Sequence, residues 1–322
     1  MKHAEITRAT VRDLLSGWNI VLKTVRRDIP LAGSPQRSLQ RLAVEDSKGE
    51  LYVLEEISVE QAEKRRMQAE ILNSLAQLGL SPLHPWLPDR QRQLLHQDEP
   101  WFWQLRKYVM GNDLLRETYG NDAWRGREMG QFLVRFRSHV NGLQGLPASP
   151  FSLVHYVDKL MPVIQAENPS LFSDLQPIWQ ELAVFRKEYP NLPLGFCHGD
   201  YHPLNVIWGE TGLNSVIDWE FLGYKAEGYD AANLLGCLGM DDPRFLTAEM
   251  ALALLTALRQ AELFQPATWY WLPEFVAALR FAWMREWFRR KERKMQIQEL
   301  DFLWLLLDNR ECLRKKWSCS QA

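Results

Sequence analysis

The chain has 322 residues, 46% of them hydrophobic, which is enough for one large or two modest domains with cores of their own. Its formal net charge of −2 gives no global field that favours nucleic acid or an anionic membrane, so we expect neither as a partner. There is no apolar signal segment, no apolar run of about 18 residues and no CxxC pair, which predicts a soluble cytoplasmic protein with reduced thiols.

The first third of the chain is predicted to form a small antiparallel sheet. Apolar residues alternate in short runs that are separated by turns rich in Gly, Pro, Asp and Ser. The predicted strands are 18–26, 38–45, 51–57, 90–97 and the run EPWFWQLRKYVMG that ends at Gly111. A short helix over 4–16 precedes them, and residues 28–37 are predicted to form a simple or disordered loop.

One amphipathic helix is predicted within this part of the chain, over 59–80. Its predicted buried face consists of Met67, Ile71, Leu75 and Leu78. Gly79 is expected to end the helix, because glycine accepts the left-handed conformation that is common there.

Beyond residue 111 the sequence predicts mostly helices. The helix predicted over 121–143 carries a stripe of apolar residues that is typical of core packing: Met129, Phe132, Leu133 and Phe136. One or two helices are expected in 151–189 and three more after residue 245. Aromatic residues of the last helices are predicted as core, with the lining of a ligand pocket as the alternative: Trp269, Tyr270, Trp271, Trp283, Trp287 and Trp304.

The stretch HGDYHPLNVIWGETGLNSVIDWE, residues 198–220, holds the densest polar cluster of the chain. Two apolar pairs flank a turn at 209–212, a pattern that predicts a short hairpin. Such a hairpin carries Asn205 and Asp218 to the same end, with Asp200 on the loop before it. Oxygen ligands of this kind suit Mg²⁺. A competing interpretation is a metal hydrolase with His198, Asp200 and His202 as ligands, although no further cysteine or paired histidine completes a zinc site.

The order of an Asp, an Asn five residues later and a second Asp after a hairpin matches the phosphoryl-transfer machinery of protein kinases. Gly199 stands where protein kinases have Arg, and Trp219 follows the second Asp where they have Phe. In these two features the chain resembles the aminoglycoside phosphotransferase family, which includes choline and homoserine kinase relatives. The resemblance implies a two-lobed, protein kinase-like α+β fold, with a nucleotide-binding lobe over 1–110 and a catalytic and substrate-binding lobe over 111–322.

The resemblance also implies roles for individual residues. Asp200 would be the catalytic base, with His198 beside it, and Asn205 and Asp218 would bind Mg²⁺. Asp230 matches an aspartate that braces the catalytic loop, although capping of the next helix is an alternative role. ATP or GTP would be the co-substrate. The residues implied to contact it are Lys107, Tyr108, Val109 and Met110, through their backbone, and Glu70 of the predicted helix. The alternatives for Glu70 are contact with an arginine or a metal, or simple exposure to solvent.

One family residue is missing. The strand pattern matches at Tyr52, Val53 and Leu54, but the position of the phosphate-binding lysine is taken by Glu55. A carboxylate near triphosphate oxygens would repel them by about 4 kcal/mol per charge pair at 4 Å and an effective dielectric constant of ~20. We expect another cation to compensate, and the candidates are Arg37, Arg41 and Arg106.

The sequence therefore predicts a small-molecule kinase that transfers the γ-phosphate of ATP or GTP to a hydroxyl group. The alternative is a catalytically impaired kinase-like protein that binds a ligand or partner, because of Glu55. The acceptor, the preferred nucleotide and the oligomeric state are left open by the sequence.

Overall fold

The computed structural model describes residues 6–31, 38–147 and 149–318. Its described residues fall into two compact units. The first, here called the sheet unit, takes its residues from Met1–Asp113, Gly142–Gln144 and Leu204–Glu220. The second, the helical unit, takes them from Leu114–Asn141, Gly145–Pro203 and Phe221–Ala322.

The sheet unit is built on a five-stranded antiparallel sheet of order β1-β2-β3-β5-β4. Its strands are β1 (Leu22–Val25), β2 (Gln40–Asp46), β3 (Leu51–Ile57), β4 (His96–Asp98) and β5 (Trp101–Lys107). Two helices accompany them, α1 (Arg8–Ser16) and α2 (Val59–Gln77). The core on one face joins α1 to the sheet through Leu15, Trp18, Val44, Leu54 and Leu105, which are all buried. The alternation of apolar residues along β2, β3 and β5 puts these side chains on a single face.

A two-stranded hairpin also belongs to the sheet unit. Strands β7 (Val206–Trp208) and β8 (Leu213–Val216) pair antiparallel around a turn in which the Gly209 N–H donates to the Gly212 carbonyl at 2.7 Å. The predicted hairpin is therefore confirmed.

The helical unit contains a second small sheet and ten helices among its described residues. The sheet pairs β6 (Leu194–Cys197) with β9 (Gly223–Ala226). The helices are α3 (Ala123–Val140), α4 (Leu153–Glu167), α5 (Pro169–Glu181), α6 (Ala183–Glu188), α7 (Tyr229–Asp241), α8 (Glu249–Gln260), α9 (Pro266–Tyr270), α10 (Leu272–Arg289), α11 (Arg293–Asp308) and α12 (Arg310–Ser318). None of the helices in the described part of the chain is both long and apolar enough to cross a membrane.

Helices α3 and α8 approach each other closely because small residues line their contact. A Cβ atom at Gly126 would lie 2.0 Å from the Met250 carbonyl oxygen, and one at Gly130 would lie 2.8 Å from the Ala257 Cβ. The apolar stripe predicted on α3 is confirmed, since Met129, Phe132, Leu133 and Phe136 are all buried.

Several boundaries differ from the predictions. Residues 90–95 form turns around Arg92, so the strand predicted over 90–97 shrinks to the three residues of β4. The strand predicted over 18–26 begins only at Leu22. The segment 151–189 holds three helices, because Pro169 and the break at Leu182 separate them. The predicted face of α2 is wrong at Leu78, which is 51% exposed just beyond the helix end.

Candidate active site

The loop that follows β6 carries the predicted base and is held by a single carboxylate. The Asp230 Oδ2 accepts the His198 N–H at 2.8 Å, and its Oδ1 accepts the Gly199 N–H at 2.8 Å. Asp230 lies in the first turn of α7, whose N-cap is Gly228. These contacts are the ones expected of a brace, whereas the capping alternative is wrong.

The conformation of this loop explains why a glycine stands in its middle. Gly199 has φ +88°, a region that other residues enter only with strain. A Cβ atom built there would lie 2.3 Å from the Phe221 carbonyl oxygen. Both the backbone angle and the lack of space therefore require glycine at this position.

Asp200 is only 6% exposed, and its surroundings are polar. Its backbone N–H donates to the His198 Nδ1 at 3.1 Å, so the histidine helps to orient the loop. Its Oδ1 lies 3.6 Å from the Nε2 of His202. His198 itself is fully buried, which suits a positioning residue better than one that touches a substrate.

Burial is the main influence on the pKa of Asp230. Desolvation raises the pKa of the Asp230 carboxyl, and the two backbone N–H donors, Lys225 and Arg137 act in the opposite direction. Lys225 is tied to the same region, because its Nζ donates to the Phe221 carbonyl at 2.5 Å. The neighbouring thiol of Cys197 is fully buried, and burial raises its pKa to about 12, which is typical of a structural cysteine rather than a reactive one.

A second layer supports the loop from α7 and α10. The Asn233 Nδ2 donates to the Tyr201 carbonyl at 3.3 Å, and its Oδ1 accepts the indole N–H of Trp283 at 3.2 Å. The Trp283 ring lies 6.1 Å from that of His202. Asn233 was not predicted, although its position three residues after Asp230, on the same side of α7, is a usable signal.

The aromatic residues predicted as core or pocket lining do not gather in one place. The guanidinium of Arg259 lies 4.0 Å from the Trp269 ring centroid, and that of Arg314 lies 4.4 Å from Tyr270. Cations of the chain itself therefore lie over these two rings. Trp304 is 39% exposed, whereas Trp283 lies beside the loop of Asp200, near the ring of His202.

In the sheet unit the hairpin brings the predicted metal ligands together. The Ile217 N–H donates to the Asn205 carbonyl at 3.0 Å. Asn205 comes directly before β7 and Asp218 comes just after β8, so the two residues lie at the same end of the hairpin. Asp218 has φ +63°, a strained conformation that Asp tolerates better than most residues and that recurs at functional sites. One amide oxygen and one carboxylate fit the ligand preference of Mg²⁺.

The three-ligand hydrolase site of the competing interpretation is not found. Within residues 6–31, 38–147 and 149–318, no three His, Cys, Asp or Glu side chains are grouped so that they could hold a metal ion. The ring nitrogen Nδ1 of His198 is already an acceptor for the Asp200 N–H.

A cavity of about 630 Å³, counting space open to solvent, lies within the sheet unit beside Asp218. Its polar lining consists of Ser38, Arg41, Glu55, Arg65, Gln68, His84, Arg106 and Asp218. Its apolar lining consists of Leu72, Leu83, Trp86, Val216, Ile217 and Trp219.

Glu55 lies in this cavity between two of the predicted compensating cations. Its Oε1 lies 3.5 Å from the Arg41 Nε and 3.3 Å from the Arg106 Nη2. Arg41 and Arg106 therefore lie within ion-pair distance of the carboxylate, while Arg37 lies outside the described residues. Their role as replacement cations for a nucleotide stays a prediction. Burial and Arg106 both lower the pKa of the His84 imidazole, which lines the same cavity.

Glu70 does not face the cavity. It lies on the exposed face of α2, and the helix presents Arg65, Gln68 and Leu72 to the cavity instead. Gln68 is 3% exposed, and its Nε2 donates to the Glu220 carbonyl at 2.9 Å. Glu70 is exposed, as the alternative for this residue allowed, because the buried face of the helix is turned by about 160° from it at a rotation of ~100° per residue. Its contact with a nucleotide stays a prediction.

The four residues implied to contact the nucleotide through their backbone, Lys107, Tyr108, Val109 and Met110, begin at the last residue of β5. The Tyr108 N–H donates to the Leu51 carbonyl at 2.9 Å, and the Met110 carbonyl accepts the Asn214 Nδ2 at 3.0 Å. Lys107 and Met110 point to solvent, whereas Tyr108 and Val109 are half-buried. Their predicted contact with a nucleotide base stays a prediction.

Comparisons with known proteins agree with this architecture. Residues 34–272 match the model of the phosphotransferase enzyme family. A homoserine kinase from Parvibaculum lavamentivorans is 34% identical over 121 residues, which are 37% of this chain and 37% of that protein. The match thus spans little more than a third of that relative's length.

Solved structures show the same fold at low identity. An amicoumacin kinase superposes with a TM-score of 0.70 and 14% identity over 95% of this chain and 94% of its own. A microcompartment-associated aminopropanol kinase gives 0.70 and 15% over 96% and 98%. A choline/ethanolamine kinase family protein from Mesorhizobium loti gives 0.61 and 17% over 90% and 92%. The predicted fold class, an α+β protein kinase-like fold, is confirmed.

Proposed function

The chain belongs to the phosphotransferase enzyme family, and we propose that it transfers the γ-phosphate of ATP or GTP to a hydroxyl group of a small molecule. The observation that carries this proposal is the braced loop after β6. Asp230 accepts both N–H groups that precede Asp200, so the carboxylate of Asp200 is presented on a fixed backbone. A positioned carboxylate is what a general base needs.

In the proposed reaction Asp200 accepts the proton of the acceptor hydroxyl as its oxygen attacks the γ-phosphorus. The bond from that phosphorus to the bridging oxygen breaks, and the nucleoside diphosphate leaves with the electron pair. His198 orients Asp200 through the 3.1 Å contact between the Asp200 N–H and Nδ1. Catalysis of this kind rests on positioning and on the stabilisation of charge.

Asn205 and Asp218 would hold Mg²⁺, whose charge offsets that of the phosphate groups when it is bound. The support is their common position at the end of the β7–β8 hairpin. The backbone of Lys107, Tyr108, Val109 and Met110 would contact the nucleotide base, as in related kinases.

We further propose that the acceptor is a small amino alcohol or hydroxy amino acid. The named homoserine, aminopropanol and choline/ethanolamine kinases among the similar proteins support this class. Trp283 and His202, which lie next to each other beside Asp200, are the proposed lining on the acceptor side.

The second candidate function is that of a kinase-shaped binding protein without transfer activity. It is favoured by one observation, the carboxylate of Glu55 at the strand position where kinases carry a lysine.

The test is a phosphate-transfer assay with ATP and with GTP in the presence of Mg²⁺. The acceptors are homoserine, aminopropanol, choline and ethanolamine, and the readout is acceptor-dependent release of nucleoside diphosphate together with the phosphorylated product by mass spectrometry. We expect Asp200→Asn to reduce the rate by about 10²–10⁴-fold while nucleotide binding is retained. Magnesium-dependent nucleotide binding without transfer to any acceptor would favour the binding protein instead.

A further inference from the structure

Three arginines share the cavity of the sheet unit with two carboxylates. Arg41, Arg65 and Arg106 carry three positive charges against the two negative charges of Glu55 and Asp218, so the lining has a net formal charge of +1. An excess of cationic groups in a partly enclosed cavity concentrates anions there.

The strand register explains how Glu55 organises two of these arginines. Arg41 on β2 lies directly opposite Glu55 on β3. Arg106 on β5 lies opposite Val53, two residues from Glu55, and is therefore its diagonal neighbour on the same face of the sheet. Cations on both neighbouring strands thus converge on one carboxylate that is only 5% exposed.

The geometry leaves hydrogen-bonding capacity for a ligand. A guanidinium has five N–H donors, and the contact with Glu55 recorded for Arg106 uses Nη2 alone. Arg106 also lies over the ring of Trp86, 5.3 Å from its centroid, which fixes the plane of the group.

Three buried polar atoms of the cavity lining have no hydrogen-bond partner among the described residues: Arg106 Nε, His84 Nδ1 and Ser38 Oγ. A buried donor without a partner costs roughly 1–3 kcal/mol, so such groups normally meet an acceptor. Their gathering in one cationic cavity points to a ligand rich in negatively charged oxygens.

We propose that Arg41 and Arg106, held in place by Glu55, bind the phosphate groups of the nucleotide and so replace the missing strand lysine. The inference rests on the proposed function, because the nucleotide is the anion that the reaction supplies. Arginine pairs with phosphate through two parallel N–H contacts, which a lysine cannot make. Glu55 is a positioning residue in this arrangement, and its own negative charge is balanced by the two guanidinium groups.

The experiment measures binding by calorimetry in Mg²⁺ buffer. The probes are ATP and GTP, each compared with its own nucleoside, adenosine or guanosine. The variants are Arg41→Gln and Arg106→Gln, and the control is Arg66→Gln, which removes the same charge from an exposed position of α2. We expect each cavity variant to weaken triphosphate binding by roughly tenfold or more while nucleoside binding stays within about twofold.

Arg106→Lys keeps the charge and loses the planar fork, so it should recover part of the affinity that Arg106→Gln loses. The wild-type protein could bind a triphosphate and both cavity variants could bind it equally well. That result would overturn the inference but not the proposed function. So would equal losses for triphosphate and nucleoside. Wild-type protein that binds neither ATP nor GTP would contradict the proposed function itself, and the inference with it.

Discussion

The loop of Asp200 and the cavity around Glu55 each contain a buried carboxylate, but different kinds of group offset its charge. In the loop, Asp230 is satisfied by backbone N–H groups of adjacent residues, so the arrangement is closed and complete. In the cavity, Glu55 is balanced by side chains from two other strands, and buried polar atoms without a recorded partner remain beside it. The first arrangement fixes the conformation of a loop, whereas the second leaves polar groups that a ligand can contact, as the proposed phosphate site requires.

The largest expected effect comes from removing the Asp230 carboxylate, which braces the loop of Asp200. Asp230→Ala should destabilise the protein by about 2–5 kcal/mol, because two buried N–H groups lose their acceptor. Chemical denaturation measures this change. Asp301→Ala, at an exposed position of α11, is the matched control and should stay within about 0.5 kcal/mol of wild type. A small effect of Asp230→Ala would show that water replaces the carboxylate and that the loop is not closed.

A second test separates backbone strain from lack of space in the same loop. Gly199→Ala forces a Cβ atom into a left-handed residue and against the Phe221 carbonyl, and we expect a loss of about 1–3 kcal/mol together with lower activity. Gly145 has φ +73° but no atom within 4 Å of a built Cβ, so Gly145→Ala carries the strain alone. Equal losses in denaturation experiments would mean that the contact with Phe221 relaxes freely.

The smallest expected effect is on the pH dependence of stability, through His84 in the cavity. The ordinary pKa of a histidine is 6.5, and the half-buried His84, which faces Arg41, Arg65, Arg106, Glu55 and Asp218, has a lower one in the folded protein. Below pH 6.5 the unfolded chain takes up a proton that folded His84 resists, so this group should lower stability as the pH falls from 6.5 toward its folded pKa.

The His84→Asn variant has no titrating imidazole at position 84, so it lacks this contribution to the pH dependence of stability. The variant should lose less stability than wild type when thermal unfolding is followed from pH 7 to pH 5.5 in buffers without phosphate. Parallel curves for the two proteins would contradict the assignment of a lowered pKa to His84.

The loop of Asp200 and the β7–β8 hairpin could be predicted from the sequence, because the residues that form each of them lie close together along the chain. The Asp200, Asn205 and Asp218 spacing and the apolar pairs between them lie within one continuous stretch of 23 residues, and the paired strands follow directly. The absence of a lysine at Glu55 was also visible in the sequence. How Arg41 and Arg106 reach Glu55 depends on the register of three strands, of which one is 50 residues away.

Other features were beyond a single-sequence analysis for physical reasons. The contact of Gln68 on α2 with the Glu220 carbonyl was not predicted, because a hydrophobic pattern does not register a buried amide. The contact of Asn233 with Trp283 joins side chains 50 residues apart. Neither partner has a periodic pattern that would indicate the other.

The Glu55 arrangement also constrains the order in which this protein can change during evolution. Glu55→Lys, made first, would place a third cation between Arg41 and Arg106 and remove the carboxylate that keeps them together. Loss of either arginine, made first, would leave the buried carboxylate poorly compensated. A change to the usual kinase lysine at position 55 therefore requires coordinated substitutions on three strands, and the effect of each substitution depends on whether the others have been made.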